Sequence, residues 1–297
     1  MNFHSGYCSV IGRPNVGKST LLNALIGEKI SIISDKAQTT RNSIQLIYTD
    51  ERMQIIFLDT PGVQIPKNEL GEAMLRVSRD ALDGVDVCLF VTDPGDRIGP
   101  LDRKILEELH KLKGTPIILV LNKLDLLEGP EALDRLIGLY EEMELFEMII
   151  PLSAKERQGT DRLLEAVYDL LPEGPQYFDE DAITDRPERF VVSELIREKC
   201  LRNLDDEIPH GIYVAVESMK QRPDTGLYDI HATIFVEKES HKGMVIGKGG
   251  QMLGRIGKQA RLEVEKLLGS RVNLKLWVKV EKNWRKDKKK VKDLGYE

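Results

Sequence analysis

Cysteine is scarce in this 297-residue chain: there are only Cys8, Cys88 and Cys200, and no two form a C-x-x-C pair. That spacing supports neither a zinc knuckle nor a disulfide framework, and a reduced compartment is expected. Long apolar runs are missing as well. The longest, such as the stretch from Pro116 to Leu121, have the length of a strand and fall far short of the roughly 20 residues that cross a bilayer. The N-terminus runs straight into an apolar strand, with no basic region or small-residue cleavage site, which argues against secretion and for a cytoplasmic protein. What is present, 41% hydrophobic and 31% charged residues, describes a globular chain long enough for two domains.

The net charge of −6 hides an asymmetry. Residues 191–297 carry 22 Lys and Arg against 16 Asp and Glu, so the first 190 residues stand at −12. Between Lys242 and Lys292 the balance is 16 basic to 4 acidic. An acidic front and a basic rear suggest two tasks.

From residue 5 to 170, short apolar strands alternate with helical patterns; Leu101, Ile105, Leu106 and Leu109, for example, recur at helical spacing. This alternation predicts an α/β domain with a mostly parallel central sheet, whose functional loops lie at the carboxyl ends of the strands. Residues 172–188 hold three prolines and six acids without a period, and mark a connection. The division expected is 1–172, a linker at 173–190, and a small α+β domain at 191–297 with a basic tail. In the last long helix Leu253, Ile256, Ala260, Val264 and Leu267 form an apolar stripe, with Arg255, Lys258 and Arg261 off it.

Residues 12–19 read Gly12, Arg13, Pro14, Asn15, Val16, Gly17, Lys18, Ser19. A glycine-rich turn between a strand and a helix points backbone N–H groups inward, and the helix start adds partial positive charge, so phosphates are held there. Lys18 would reach the β- and γ-phosphates, and the Ser19 hydroxyl would ligate Mg²⁺. The base is decided by the segment from Asn122 to Asp125. A carboxylate at Asp125 accepts from the ring N–H and exocyclic amine of guanine, whereas adenine would leave it unpaired. Asn122 would support the base edge, Lys123 would lie along the ring, and Ser153, Ala154 and Lys155 would add a backbone contact. Asp59, Thr60, Pro61, Gly62 and Val63 end another strand. Asp59 would hold Mg²⁺ through water, and the Gly62 N–H would sense the γ-phosphate. Thr39 or Thr40, with Thr40 preferred, would supply a second hydroxyl to the metal. Both loops would then order with triphosphate and relax on hydrolysis.

These five motifs, in this order, resemble those of the translation-factor-related P-loop GTPases. In some members of that group an asparagine like Asn15 helps hold K⁺. Val63 stands where Ras-type enzymes have a water-orienting glutamine, so the front domain alone is expected to hydrolyse GTP to GDP slowly. The catalytic set expected is Lys18, Thr40, Gly62 and Asn15.

In the rear domain, Gly247, Lys248, Gly249 and Gly250 form a G-x-x-G loop between two helices, a device that clamps about four nucleotides of single-stranded nucleic acid. Arg255 and Lys258 follow on the next helix. Trp284 would stack on a base while Lys286 and its neighbours meet phosphates; a solvated charged arm is the other reading of this tail. A GTP-binding domain, a helix-rich linker and one KH-like module together resemble the bacterial Era family, over almost the whole chain. The resemblance implies a type II KH domain that binds the 3′ end of 16S rRNA, a role in assembling the 30S subunit, and peripheral contact with the inner membrane. A monomer is expected. A nucleotide-gated RNA scaffold with incidental hydrolysis is the alternative.

Overall fold

The computed structural model describes residues 2–36, 38–95, 97–205 and 207–296. The front domain is a six-stranded sheet of β1 (His4–Ile11), β2 (Ile44–Thr49), β3 (Met53–Asp59), β4 (Val87–Thr92), β5 (Ile117–Leu121) and β6 (Met148–Pro151), in the order β2-β3-β1-β4-β5-β6. Only β2 runs antiparallel to its neighbour. Every residue of β4 and β5 is buried, as strands covered by helices on both faces require. The covering helices are α1 (Lys18–Ile26), α2 (Glu69–Asp80), α3 (Pro100–Leu109), α4 (Pro130–Glu141) and α5 (Thr160–Leu170). Local chemistry sets their starts. The Asn68 side chain accepts from Gly71 N ahead of α2, and a proline opens both α3 and α4.

From β1 the chain goes first to β3 on one side and then to β4 on the other. The crevice at such a reversal is where an open parallel sheet binds its ligand, and the turn after β1 sits there. The edge strand β2 was not anticipated from sequence.

The connection expected to be rich in helix has none between α5 and α6 (Glu188–Asn203). It runs extended along the front sheet instead. Gln54 holds it, accepting from Tyr177 N and Phe178 N and donating to Phe178 O. Backbone bridges join Glu173 to His4 and Thr184 to Leu46, and Arg186 donates to Ser43 O at 2.5 Å. The expected helix content resides in α6, which packs on the rear sheet and on α8.

The rear domain is α6, β7 (Tyr213–Gln221), β8 (Tyr228–Val236), α7 (Glu239–Ile246), α8 (Gln251–Leu268) and β9 (Val272–Val280), closed by the short α9 (Lys288–Asp293). Its sheet has the order β7-β8-β9, antiparallel then parallel. The α8 stripe packs as expected, with Ile256, Ala260 and Val264 fully buried. One apolar cluster runs from Val10 and Leu22 in front to Ile196, Ile234 and Ile256 behind, so the two domains share a core. Among the described residues no helix is long and apolar enough to cross a membrane.

Candidate functional site

The turn after β1 forms a cavity of about 310 Å³ lined by Pro14, Asn15, Gly17, Lys18, Ser19, Thr39, Thr40, Gly62 and Lys123, among others. Its glycines are demanded by close approach. A Cβ at Gly12 would strike Val91 O, one at Gly17 (φ 99°) would strike the Asn122 amide, and one at Gly62 would lie 2.7 Å from Pro14 N. Asn15 and Lys123 also hold left-handed backbone, at φ 67° and 63°. Non-glycine residues held there mark a site whose surroundings dictate the conformation.

Three of the expected metal-side groups converge. The Ser19 hydroxyl lies 3.0 Å from Thr40 Oγ1 and donates to Asp59 Oδ2 at 3.1 Å. Asp59 is fully buried, and its Oδ1 has no hydrogen-bond partner. Burial pushes the Asp59 carboxyl above its ordinary range, against the pull of the nearby Ser31 hydroxyl and of Lys18. An orphaned carboxylate oxygen beside two hydroxyls is a donor set that fits Mg²⁺, a cation that takes oxygen ligands. Lys18 donates to Gly12 O at 3.0 Å and Arg13 O at 3.2 Å. Burial lowers its pKa to about 8. The Arg13 guanidinium is committed to Asp93 and Asp102, which leaves the Arg13 backbone as its contribution to the cradle. Asn15 donates to Asp35 O at 2.7 Å, tying the cradle to the loop at 31–42. Val63 N donates to Gly12 O, and its side chain packs against the apolar cluster of β4 and α3. The Thr60 hydroxyl donates to Val10 O, and Pro61 O accepts from Ser78.

The base-side loops meet the cradle through Asn122. Its Nδ2 donates to Val16 O at 2.8 Å, and its Oδ1 accepts from Ala154 N at 3.0 Å. Asn122 therefore braces the two loops. Asp125 Oδ1 accepts from the Ser153 hydroxyl at 2.7 Å, which leads the causes that hold this carboxyl below its usual range. Lys155 is exposed, 3.8 Å from Asp125 Oδ2. Lys123 is anchored at its head, donating to Asn15 O and Asp93 Oδ2.

Sequence reading gave no role to the residues that join this loop to the rear domain. Arg41, which follows Thr40, is 2% exposed and donates to Ile212 O at 2.6 Å and His210 O at 2.9 Å. From α6, Arg197 donates to Thr39 O, and the buried Glu198 accepts from Ile33 N at 3.2 Å. Arg202 donates to Ile33 O. The only signal was an arginine next to the metal-side threonine.

The G-x-x-G loop lies between α7 and α8 as expected. Gly247, Gly249 and Gly250 have φ of 72°, 58° and 80°, and a Cβ at Gly247 would meet Met252 at 2.7 Å. No side chain caps the start of α8. Beside it a groove of about 520 Å³ is lined by Gly250, Leu253, Gly254, Gly257, Lys258, Arg261, Leu274 and Leu276. Lys248 is exposed at the loop. Arg255 is exposed outside the groove lining; Arg261, six residues on, takes the place expected of it.

The expectation for Trp284 is overturned. Its indole is 0% exposed and donates to Gly211 O at 2.9 Å, packed among Leu70, Ala73 and Met74 of α2 and Tyr213, Val291 and Tyr296. A ring enclosed by two domains cannot stack on a base. Lys286 is exposed on the same turn, which packs on α2 and does not line the groove.

Comparison with known proteins agrees with the two-domain architecture. Residues 7–123 match the model described as 50S ribosome-binding GTPase, and residues 207–285 match the KH domain model. GTPase Era of Alkaliphilus metalliredigens is 56% identical over 297 residues, covering 100% of both chains. The chain belongs to the Era family of GTPases. GTPase Era of Clostridioides difficile is 53% identical, with 99% of each chain covered. Among solved structures, Era in complex with MgGDPNP and nucleotides 1506–1542 of 16S ribosomal RNA superposes with a TM-score of 0.93 at 39% identity, covering 99% of each chain. An Aquifex aeolicus Era variant bound to GDP.AlF4- gives 0.94 at 38%, again over 99% of each. As an Era-family member this is a P-loop GTP hydrolase with a C-terminal KH domain, in which α6 and β7 precede the unit β8-α7-α8-β9.

Proposed function

We propose that this GTPase binds GTP with Mg²⁺ in the cavity after β1, holds the single-stranded 3′ end of 16S rRNA in the α8–β9 groove, and so assists assembly of the 30S subunit. Ser19, Thr40 and Asp59 would hold the Mg²⁺, which neutralises phosphate charge when bound. Among the described residues Lys18 has no acidic partner within hydrogen-bond reach, and it is curled on the carbonyls of Gly12 and Arg13, ready to turn to the phosphates. Asp125, fixed by Ser153, is the guanine acceptor, and Asn122 keeps its loop in step with the cradle. Gly62 N is the γ-phosphate sensor.

The observation that carries this reading is the adjacency of Thr40 and Arg41: one hydroxyl lies on Ser19 while the next side chain is buried in the rear domain. A ligand that holds Thr40 therefore biases the seat of the KH domain. The test is linkage. RNA affinity with a non-hydrolysable GTP analogue should differ from that with GDP by at least fivefold, and analogue affinity should respond to RNA by the same factor. Equal affinities in both nucleotide states would end the coupled reading.

Val63 has no group to orient water, and its side chain is turned into apolar packing, which favours slow turnover without a further helper. We assign K⁺ beside Asn15 to that role. Should RNA and K⁺ both leave the rate unchanged, a nucleotide-gated scaffold becomes the better description. We take the protein to be a cytoplasmic monomer; peripheral membrane contact would rest on the family resemblance alone.

A further inference from the structure

The strand β9 has two faces with different chemistry. Leu274 and Leu276 point into the groove beside α8. The alternating residues Lys275, Trp277 and Lys279 lie on the opposite face of the sheet, and all three are exposed. Trp277 is 43% exposed, a large apolar ring left in water. In register with it across the sheet are only the small Thr233 and Ala215, so no bulky neighbour covers the indole from those strands. His231, in register with Lys275, meets the indole edge-to-face at 5.3 Å and steadies its plane. At the other end of this face Phe235 and Tyr213 are stacked at 4.5 Å with Trp284 against Tyr213, so the tail covers that half. The open half is the part around Trp277.

We propose that this open half is a second subsite for single-stranded RNA, in which a base stacks on Trp277 and flanking phosphates meet Lys275 and Lys279. The inference rests on the reading of the α8–β9 groove as an RNA site. β9 is the edge strand of its sheet, so a strand of RNA leaving the groove passes around one strand's width to reach the other face. An aromatic face between cations is the arrangement that holds single strands, because every base offers a π-face and every linkage a charge. The charge balance agrees. Lys220, Arg222, Lys275 and Lys279 outnumber Glu217 and Asp229 on this face, and the pairs Lys279–Glu217 and Arg222–Asp229 leave the excess positive charge with Lys220 and Lys275.

Unstructured RNAs of 5 and 12 nucleotides, titrated into the full chain, separate the two subsites. The 12-mer should bind the natural protein more tightly than the 5-mer. W277A should weaken the 12-mer by about 5- to 150-fold, the range of one base–aromatic stack, and leave the 5-mer unchanged. W277F should restore most of the loss, which a merely structural role at this exposed position would not require. K275E/K279E should lower the salt slope for the 12-mer by about 1.4. Because Trp284 is enclosed, quenching of tryptophan fluorescence by the 12-mer should vanish in W277F. Unaltered 12-mer binding by W277A overturns the proposal and leaves this face to another kind of partner. Failure of the groove reading looks different: K258E/R261E would then leave the 5-mer unaffected.

Discussion

The guanidinium of Arg41 lies over the indole of Trp284, 5.6 Å from the ring centroid. Arg41 comes from the loop that carries Thr40 to Ser19, and Trp284 from the last turns of the chain, so the loop proposed to sense the nucleotide and the C-terminal turns share one contact. Arg41→Ala removes two hydrogen bonds to rear-domain carbonyls and this cover of the ring. It should cost about 1.5–3 kcal/mol in urea unfolding, the range for charged hydrogen bonds, and abolish the nucleotide effect on RNA affinity. Retained linkage in a folded Arg41→Ala protein would break the connection between the two sites.

Trp284→Ala should destabilise by about 3–5 kcal/mol, the usual cost of emptying a core aromatic site. Trp284→Phe should keep most packing and lose only the bond to Gly211 O. RNA affinity of the Phe variant should match the natural protein in fluorescence anisotropy. A large drop would restore a direct role for this ring in binding.

Nucleotide affinity should depend on pH through Lys18. Its pKa near 8 in the empty protein means that below pH 8 the ammonium is already charged. Above pH 8 a proton must be taken up to meet the phosphates, so Kd should rise by up to tenfold per pH unit. Calorimetry in buffers of different ionisation heat should detect that uptake at pH 9 and not at pH 6.5. Equal uptake at both would mean that Lys18 titrates elsewhere.

Asp125→Asn should shift preference from guanine to xanthine nucleotides. Ser153→Ala should weaken GTP by about 3- to 30-fold through the loss of one hydrogen bond that holds the carboxylate. Competition against a fluorescent guanine nucleotide measures both, and an unchanged guanine preference in Asp125→Asn would refute the base assignment.

Exchange of Na⁺ for K⁺ should slow hydrolysis by the natural protein and leave Asn15→Ala unaffected. Intrinsic rates of about 10⁻⁴ to 10⁻² per second are expected for such enzymes without a partner, so the comparison is made under single-turnover conditions.

The cradle and base motifs were legible because their chemistry is local: Gly12 to Ser19 and Asn122 to Asp125 each carry their meaning within a few residues. The strand alternation of residues 5–170 was legible for the same reason. Trp284 was misread because its sequence neighbours are lysines, whereas its real surroundings include Met74, some two hundred residues earlier. Arg41, Arg197 and Glu198 bond mainly to backbone atoms or to partners brought together by folding, which no pattern of residue types announces. The strand Ile44–Thr49 went unseen because Gln45 interrupts its apolar run and it follows directly on an irregular loop. Arg261 displaced Arg255 because the turn of α8 aimed at the groove is set by packing against β9.

The extended segment 173–187 has a practical consequence. It lies over the outermost strand of the front sheet, bridging to it at Leu46, and works as a gasket on an otherwise sticky rim. A fragment cut at residue 172 would bare that rim to its own copies and should self-associate as concentration rises. One cut at 187 keeps that edge sealed and, although both fragments lose the rear half of the shared core, should self-associate less.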